Sequence, residues 1–270
     1  MASSSRSRYA LRGVALLYVA VLVAVPLAVV GSRTIDQGWM AFRSAVTSAQ
    51  AVESFRLTAI VAGSAVVLNV LFGIGAALLL TRYRFAGRRV FSGLIDLPVS
   101  VSPIVVGLAL VLVYGPYDGW FGKPLHGAGI DVIFAVPGMV LATAFVSLPM
   151  VVREIVPVLE EEGVEQEQAA RVLGANALQR FGRITLPTIK WALAYGIVLS
   201  LARSIGEFGA VKVVSGNISG TGQTQTATLL VDEKVEQLEP GAYQISVVLI
   251  AVAVLAIVIV SVLRPKKVPA

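Results

Sequence analysis

A chain of 270 residues that is 56% hydrophobic and only 14% charged, with a mean hydropathy of +0.82, carries more apolar surface than a soluble core can hide, whereas a bilayer can solvate it. It has no cysteine and a single histidine, His126, which excludes disulfides and thiolate metal sites and argues against a His-built metal cluster or a Ser/His hydrolase. The net charge of +6 does not point to nucleic acid, because the basic residues flank apolar runs, where membrane topology accounts for them.

A membrane-spanning helix needs roughly 20 apolar residues. Charge-free runs of that size fall at 13–32, 57–81, 97–117, 132–152 and 240–263, and a sixth, 191–211, is interrupted by Arg203 and Glu207. The pattern predicts an all-α membrane protein of six transmembrane helices. The first run follows Arg6, Arg8 and Arg12 as a signal peptide would. It is long for a signal core and no small-residue cleavage site follows, so it reads as an uncleaved anchor.

Lys and Arg placement orients the bundle. One side collects Arg6, Arg8 and Arg12, then Arg82, Arg84, Arg88 and Arg89, then Arg153, Arg171, Arg180, Arg183 and Lys190, and finally Arg264, Lys266 and Lys267, which is 15 residues. The other side holds Arg33, Arg43, Arg56, Lys123, Lys212 and Lys234, which is 6. The bias predicts that both termini are cytoplasmic, in the cytoplasmic membrane of a bacterium. The expected division is an anchor helix and external amphipathic segment over 1–54, a transmembrane domain over 55–263 and a basic cytoplasmic tail over 264–270.

In the external segment, Trp39, Phe42, Val46 and Phe55 are available for the membrane interface. Pro98, Pro103, Pro137 and Pro149 punctuate the third and fourth spans, as in helices that kink around a cavity or move, although transmembrane helices also tolerate proline without such a role. The stretch SGNISGTGQTQT at 215–226 reads as an irregular external loop. No GxxxxGK[ST] phosphate loop is present, so the chain is not expected to hydrolyse ATP itself.

Between the fourth and fifth spans, within a loop at 160–187, lies a polar island, EQEQAARVLGANALQRFGRITLP at 165–187. Glu, Gln, Ala, Arg and Leu favour a first helix. Val164, Ala169, Val172 and Leu173 give it a modest apolar face. Gly174 ends that helix in a left-handed turn. Asn176 caps a second, expected to run over 177–184 and to stop at Leu186–Pro187. Helices this short are marginal in water alone and need something to pack against.

The spacing A-A-x-x-x-G-x9-I-x-L-P, carried by Ala169, Ala170, Gly174, Ile184, Leu186 and Pro187, resembles the "EAA" loop of permease subunits from ABC importers. That resemblance implies a cytoplasmic coupling helix seated in a groove of a separate ATPase. The family's leading glutamate falls at Gln168, with Glu167 displaced by one position. LPVSVSPIVVGLAL (97–110), VPGMVLATAFVSLPMVVREIVPVL (136–159) and ARSIGEFGAVKVVSGNISG (202–220) extend the likeness over residues 55–262. They are similar to the sulfate/thiosulfate permeases of the CysW type. Molybdate permeases share the GEFGA and SPxVVGL themes. The resemblance implies a sister permease of the CysT type, an ATPase dimer that uses ATP and Mg, and an extracytoplasmic sulfate-binding protein. No cofactor is expected on this chain itself.

Arg203 and Glu207, four residues apart in the predicted fifth span, are expected to neutralise each other on one helix face. Two readings stand. The pair is a structural ion pair facing the bundle interior, or Arg203 lends positive potential to an anion pathway while Glu207 holds it. Gly206 and Gly209, flanking the acid, are expected to let helices approach closely or to bend at the gate. A secondary transporter with midplane charges and repeat symmetry is the rival reading. A membrane enzyme is a more distant one, since no catalytic constellation gathers near a membrane face.

Overall fold

The computed structural model describes residues 5–218 and 224–263. The basic tail at 264–270 and positions 219–223 of the external loop lie outside the described residues. Those described form helices and connecting turns, with no strand. Helix α1 runs Ser5–Val19, through a π-helical turn at Ala20–Ala24, into Val25–Asp36. Then come α2 Gly38–Val46, α3 Ala49–Arg82, α4 Arg88–Ser100, α5 Pro103–Tyr114, α6 Gly122–Gly127 and α7 Val136–Glu162. Helix α8 is Glu165–Val172. Helix α9 runs Ala177–Arg180, through a π-helical turn at Phe181–Thr185, into Leu186–Ile205. The chain closes with α10 Gly209–Ser215, α11 Ala227–Glu236 and α12 Ala242–Leu263.

Among the described residues, five helices are long and apolar enough to cross a bilayer, and α4 with α5 makes a sixth crossing only as a pair bent by 114°. The expected single span at 97–117 is therefore two short helices. Val101 and Ser102 between them are extended. Pro103 supplies the reason, because its ring drives the residue before it out of the helical region. The amphipathic helix α2 forms, with Trp39 stacked on Phe42 at 5.4 Å. Phe55, by contrast, packs inward against Ala51, Leu230 and Ile245 rather than at an interface.

The expected stop at Pro187 is also corrected: the second short helix of the island continues directly into the fifth span. Proline at this point removes the donor that would bond the Arg183 carbonyl. The turn before it widens instead, with the Leu186 N–H donating to the Phe181 carbonyl. A π-helical turn of this kind carries a helix past a proline without a break. The same device precedes Pro26 in α1, where the Val25 N–H donates to Ala20.

Helices α3, α7 and α9 form the centre of the bundle. Val151 of α7 sits between two glycines. A Cβ added to Gly73 of α3 would lie 2.8 Å from Val151 Cγ1, and one added to Gly196 of α9 would lie 3.1 Å from Val151 Cα. Small residues that let backbones approach are how helices associate in a membrane, where burial of apolar surface gives little driving force. Ala77, Ile155, Leu159 and Ile189 continue that contact towards the end of the bundle where α8 lies. Helices α1 and α12 expose Leu16, Leu17, Val21, Leu255 and Ile257, a surface suited to hydrocarbon rather than water.

Candidate functional site

The polar island folds as expected up to the proline. Gly174 adopts φ +84°, the left-handed conformation that ends α8. The Asn176 side chain accepts from the Gln179 N–H at 2.8 Å, and the Gln179 side chain accepts from the Asn176 N–H at 2.9 Å. This reciprocal capping box fixes the start of α9. The turn presents apolar side chains to solvent: Val172 and Leu173 are each 87% exposed and Leu178 is 81% exposed. Gln168 and Ala169 are exposed beside them, as are Leu186 and Pro187, while Ala170 and Ile184 are half-buried. Such a patch on an otherwise polar hairpin marks a contact surface.

Glu167 faces the other way. Its Oε1 accepts from Arg82 Nε at 3.2 Å, Arg82 Nη2 at 3.1 Å and the Thr185 hydroxyl at 3.1 Å. Arg82 also donates from Nη1 to the Leu159 carbonyl at 2.9 Å. That carbonyl lies in the last turn of α7, where helix carbonyls lack partners of their own. Arg82, the final residue of the long helix α3, thus joins α3, α7, α8 and the π-helical turn of α9. Arg82 and Thr185 were not apparent from the sequence, since Arg82 and Glu167 are separated by 85 residues and share no local pattern.

The second cluster lies about 30 Å further along α9, at 1.5 Å rise per residue. Helix α9 ends at Ile205 with Gly206 as its C-cap. Glu207 lies in the break before α10, so the two charges do not share one helix face as expected. They meet across the break, Arg203 Nη1 to Glu207 Oε2 at 2.6 Å. The Glu207 side chain is 2% exposed and that of Arg203 37%. Glu207 Oε1 accepts from the Ala210 N–H at 3.0 Å, and the Glu207 carbonyl accepts from the Thr228 hydroxyl at 2.9 Å. The carboxylate is therefore held by α10 as well as by Arg203, and the backbone of the residue by α11. Gly206 is the C-cap at which α9 ends. A Cβ on Gly209 would lie 3.1 Å from Pro103 Cβ, so this glycine lets α10 lie close to the start of α5.

A buried polar group beside this cluster was not singled out from the sequence. Asn69 Nδ2 donates to Ser147 Oγ at 2.8 Å and to Ser200 Oγ at 3.1 Å. Ser204 Oγ donates to Ser147 Oγ at 3.1 Å, and Ser147 donates to the Thr143 carbonyl at 2.7 Å. The Ser147 hydroxyl thereby uses its one donor and both its acceptor positions. The group pins α3, α7 and α9 together at mid-bundle. Isolated Asn and Ser in apolar runs give no periodic signal, so only the three-dimensional arrangement reveals it.

These helices make up a multi-span membrane bundle with one broken span and an exposed helix–turn–helix between the fourth and fifth crossings. The chain matches the family described as binding-protein-dependent transport system inner membrane component over residues 69–268, and it belongs to that family. It is 47% identical over 237 residues to the sulfate transport system permease protein CysW of Synechococcus elongatus, covering 88% of this chain and 82% of that relative. It is 36% identical over 255 residues to the sulfate transport system permease protein CysT of Salmonella typhimurium, covering 94% of this chain and 91% of that one. The fold is also similar to that of a bacterial alginate ABC transporter solved in complex with an alginate pentasaccharide-bound periplasmic protein. The TM-score is 0.72 at 20% identity, over 94% of this chain and 91% of that chain.

Proposed function

We propose that this chain is a permease subunit of an ATP-driven importer that carries sulfate and thiosulfate into the cell across the cytoplasmic membrane, with both termini inside. The similarity to the CysW and CysT sulfate permeases supports the substrate class. One observation carries the mode of action: an exposed, capped helix–turn–helix runs without interruption into the fifth span. Glu167, Gln168, Ala169, Ala170, Gly174, Ile184, Leu186 and Pro187 shape this element, and Val172, Leu173 and Leu178 are its apolar contacts for a separate ATPase dimer. ATP and Mg are used there, not on this chain. A movement of the docked element passes along α9 to the break at Gly206, where Arg203 faces the pathway. A sister permease of the CysT type completes the membrane dimer, an extracytoplasmic binding protein delivers the anion, and lipid surrounds α1 and α12.

At the pathway, an arginine anchored by a buried acid suits a tetrahedral oxyanion. The guanidinium fork offers paired donors, and the exposed part of Arg203 remains free to use them. Uptake of labelled sulfate by cells that depend on this importer tests the reading, with thiosulfate and molybdate as competitors. Thiosulfate is expected to compete at concentrations comparable to sulfate and molybdate only at a large excess. Strong competition by molybdate with weak competition by thiosulfate would shift the assignment to the molybdate permeases, whose GEFGA and SPxVVGL themes this chain shares.

A further inference from the structure

The polar contacts at the α8 end of the bundle are unequal. Two of the ion pairs, Arg88–Glu160 and Arg153–Asp96, are roughly half exposed at 3.3 and 2.9 Å, and pairs of that kind contribute little. Arg82–Glu167 differs. Its side chains are 12% and 18% exposed, the arginine donates from all three of its nitrogens, and the one carboxylate oxygen also holds Thr185.

These four groups belong to four different segments. Thr185 lies inside the π-helical turn and Leu159 in the last turn of α7. Helices α3, α7 and α9 are already fastened to one another by the Asn69–Ser147–Ser200 contacts and by the Gly73–Val151–Gly196 packing. Among the described residues, helix α8 has no such fastening. It is short, none of its residues is fully buried, and Gly174 and the chain at Gly163 bound it on either side. Glu167 is its anchor to α3.

We propose that Arg82 is a positioning residue for energy coupling. It clamps Glu167, and through it the docking helix α8, onto the α3–α7–α9 block, so that displacement of α8 moves the whole block rather than α9 alone. This rests on the reading of the island as the ATPase-docking element. Arginine is the residue the site requires, since a lysine ammonium cannot span the Leu159 carbonyl and the Glu167 carboxylate as a planar fork does.

The test uses the complete importer, with sister permease, ATPase and binding protein, in proteoliposomes. Sulfate uptake and ATP hydrolysis are measured together for Arg82→Glu, Glu167→Arg, the double exchange and the milder Arg82→Lys. Each single reversal is expected to lower sulfate imported per ATP hydrolysed by about tenfold, the scale of an ordinary coupling free energy between sites. The double exchange is expected to restore part of it, since the exchanged ion pair can re-form while the Leu159 carbonyl loses its donor, and Arg82→Lys to fall between the unaltered chain and the single reversals. Loss of ATPase co-purification in a single reversal, regained in the double exchange, supports the clamp equally. Wild-type stoichiometry in both single reversals overturns it, as does a double exchange no better than its parents. If the unaltered chain fails to retain the ATPase, the docking reading itself is overturned, a result separate from failure of the clamp.

Discussion

Two arginine–glutamate pairs on this chain use the same chemistry for opposite ends. At Arg82–Glu167 every nitrogen of the guanidinium is committed to protein oxygen and both side chains are mostly buried. At Arg203–Glu207 the burial is lopsided: the acid is enclosed and bonded to the Ala210 N–H, while the arginine makes its one contact among the described residues through Nη1 and keeps more than a third of its surface open. A fully engaged arginine holds helices in place. An arginine anchored at one nitrogen is fixed in position yet still has donors to offer an anion. The difference lies in the partners of each pair, not in the residue types.

Removing the enclosed acid has the largest expected effect. Glu207→Ala leaves the Ala210 N–H and Arg203 without their partner, and breaking a buried pair costs about 3 kcal/mol here, at the low end of the usual range because Arg203 still reaches solvent. The variant is expected to accumulate poorly in membranes and to denature at lower temperature in detergent. Normal accumulation would erase the distinction between enclosed acid and open base. Arg203→Lys keeps the charge that the enclosed Glu207 needs but loses the guanidinium fork, and sulfate uptake is expected to fall about tenfold while the complex still assembles, as loss of one charge-assisted contact of about 1.4 kcal/mol implies. Uptake at the wild-type rate would make this pair as purely structural as the first.

Gly174→Val probes the docking end. No atom lies within 4 Å of the added Cβ, so the penalty is backbone strain at φ +84° alone, about 1–2 kcal/mol for a β-branched residue. ATPase retention is expected to weaken, by co-purification, while the membrane bundle keeps its thermal stability. A fall in bundle stability with docking intact would contradict that separation.

The smallest effect is expected at an exposed pair that calibrates the other two. Lys212 is held above its ordinary value of 10.5, first by its hydrogen bond to Asp232 and then by Glu236. A raised lysine contributes stability that is fully present below its unfolded value and is lost as pH rises through the folded one. A Lys212→Met variant should therefore match the parent in stability only at strongly alkaline pH and be slightly weaker below it. A large difference at neutral pH would show that exposed pairs matter more here than their solvation allows.

Much of the architecture was legible from residue patterns, and the misreadings have physical causes. Apolar run length located the crossings because bilayer thickness sets it, but hydropathy is blind to direction. The run at 97–117 therefore concealed the bend that Pro103 imposes at Val101 and Ser102. Pro187 read as a helix stop because local rules do not anticipate a widened turn that lets a helix pass a proline. The i,i+4 spacing of Arg203 and Glu207 predicted their contact correctly while missing that Gly206 ends the helix between them. At the island, Gly174 and Asn176 were readable because caps are local chemistry. Arg82, Asn69 and Ser147 were not, since their partners come from distant helices.

Whether a docked ATPase drives transport is measured directly by labelled-sulfate uptake into proteoliposomes holding the reconstituted importer, with binding protein on one side and ATP on the other. Accumulation is expected only when ATP and the ATPase subunits are both present, and it should be insensitive to collapse of proton and sodium gradients. Accumulation that persists without the ATPase and follows an imposed ion gradient would contradict the account and mark the chain as a secondary transporter.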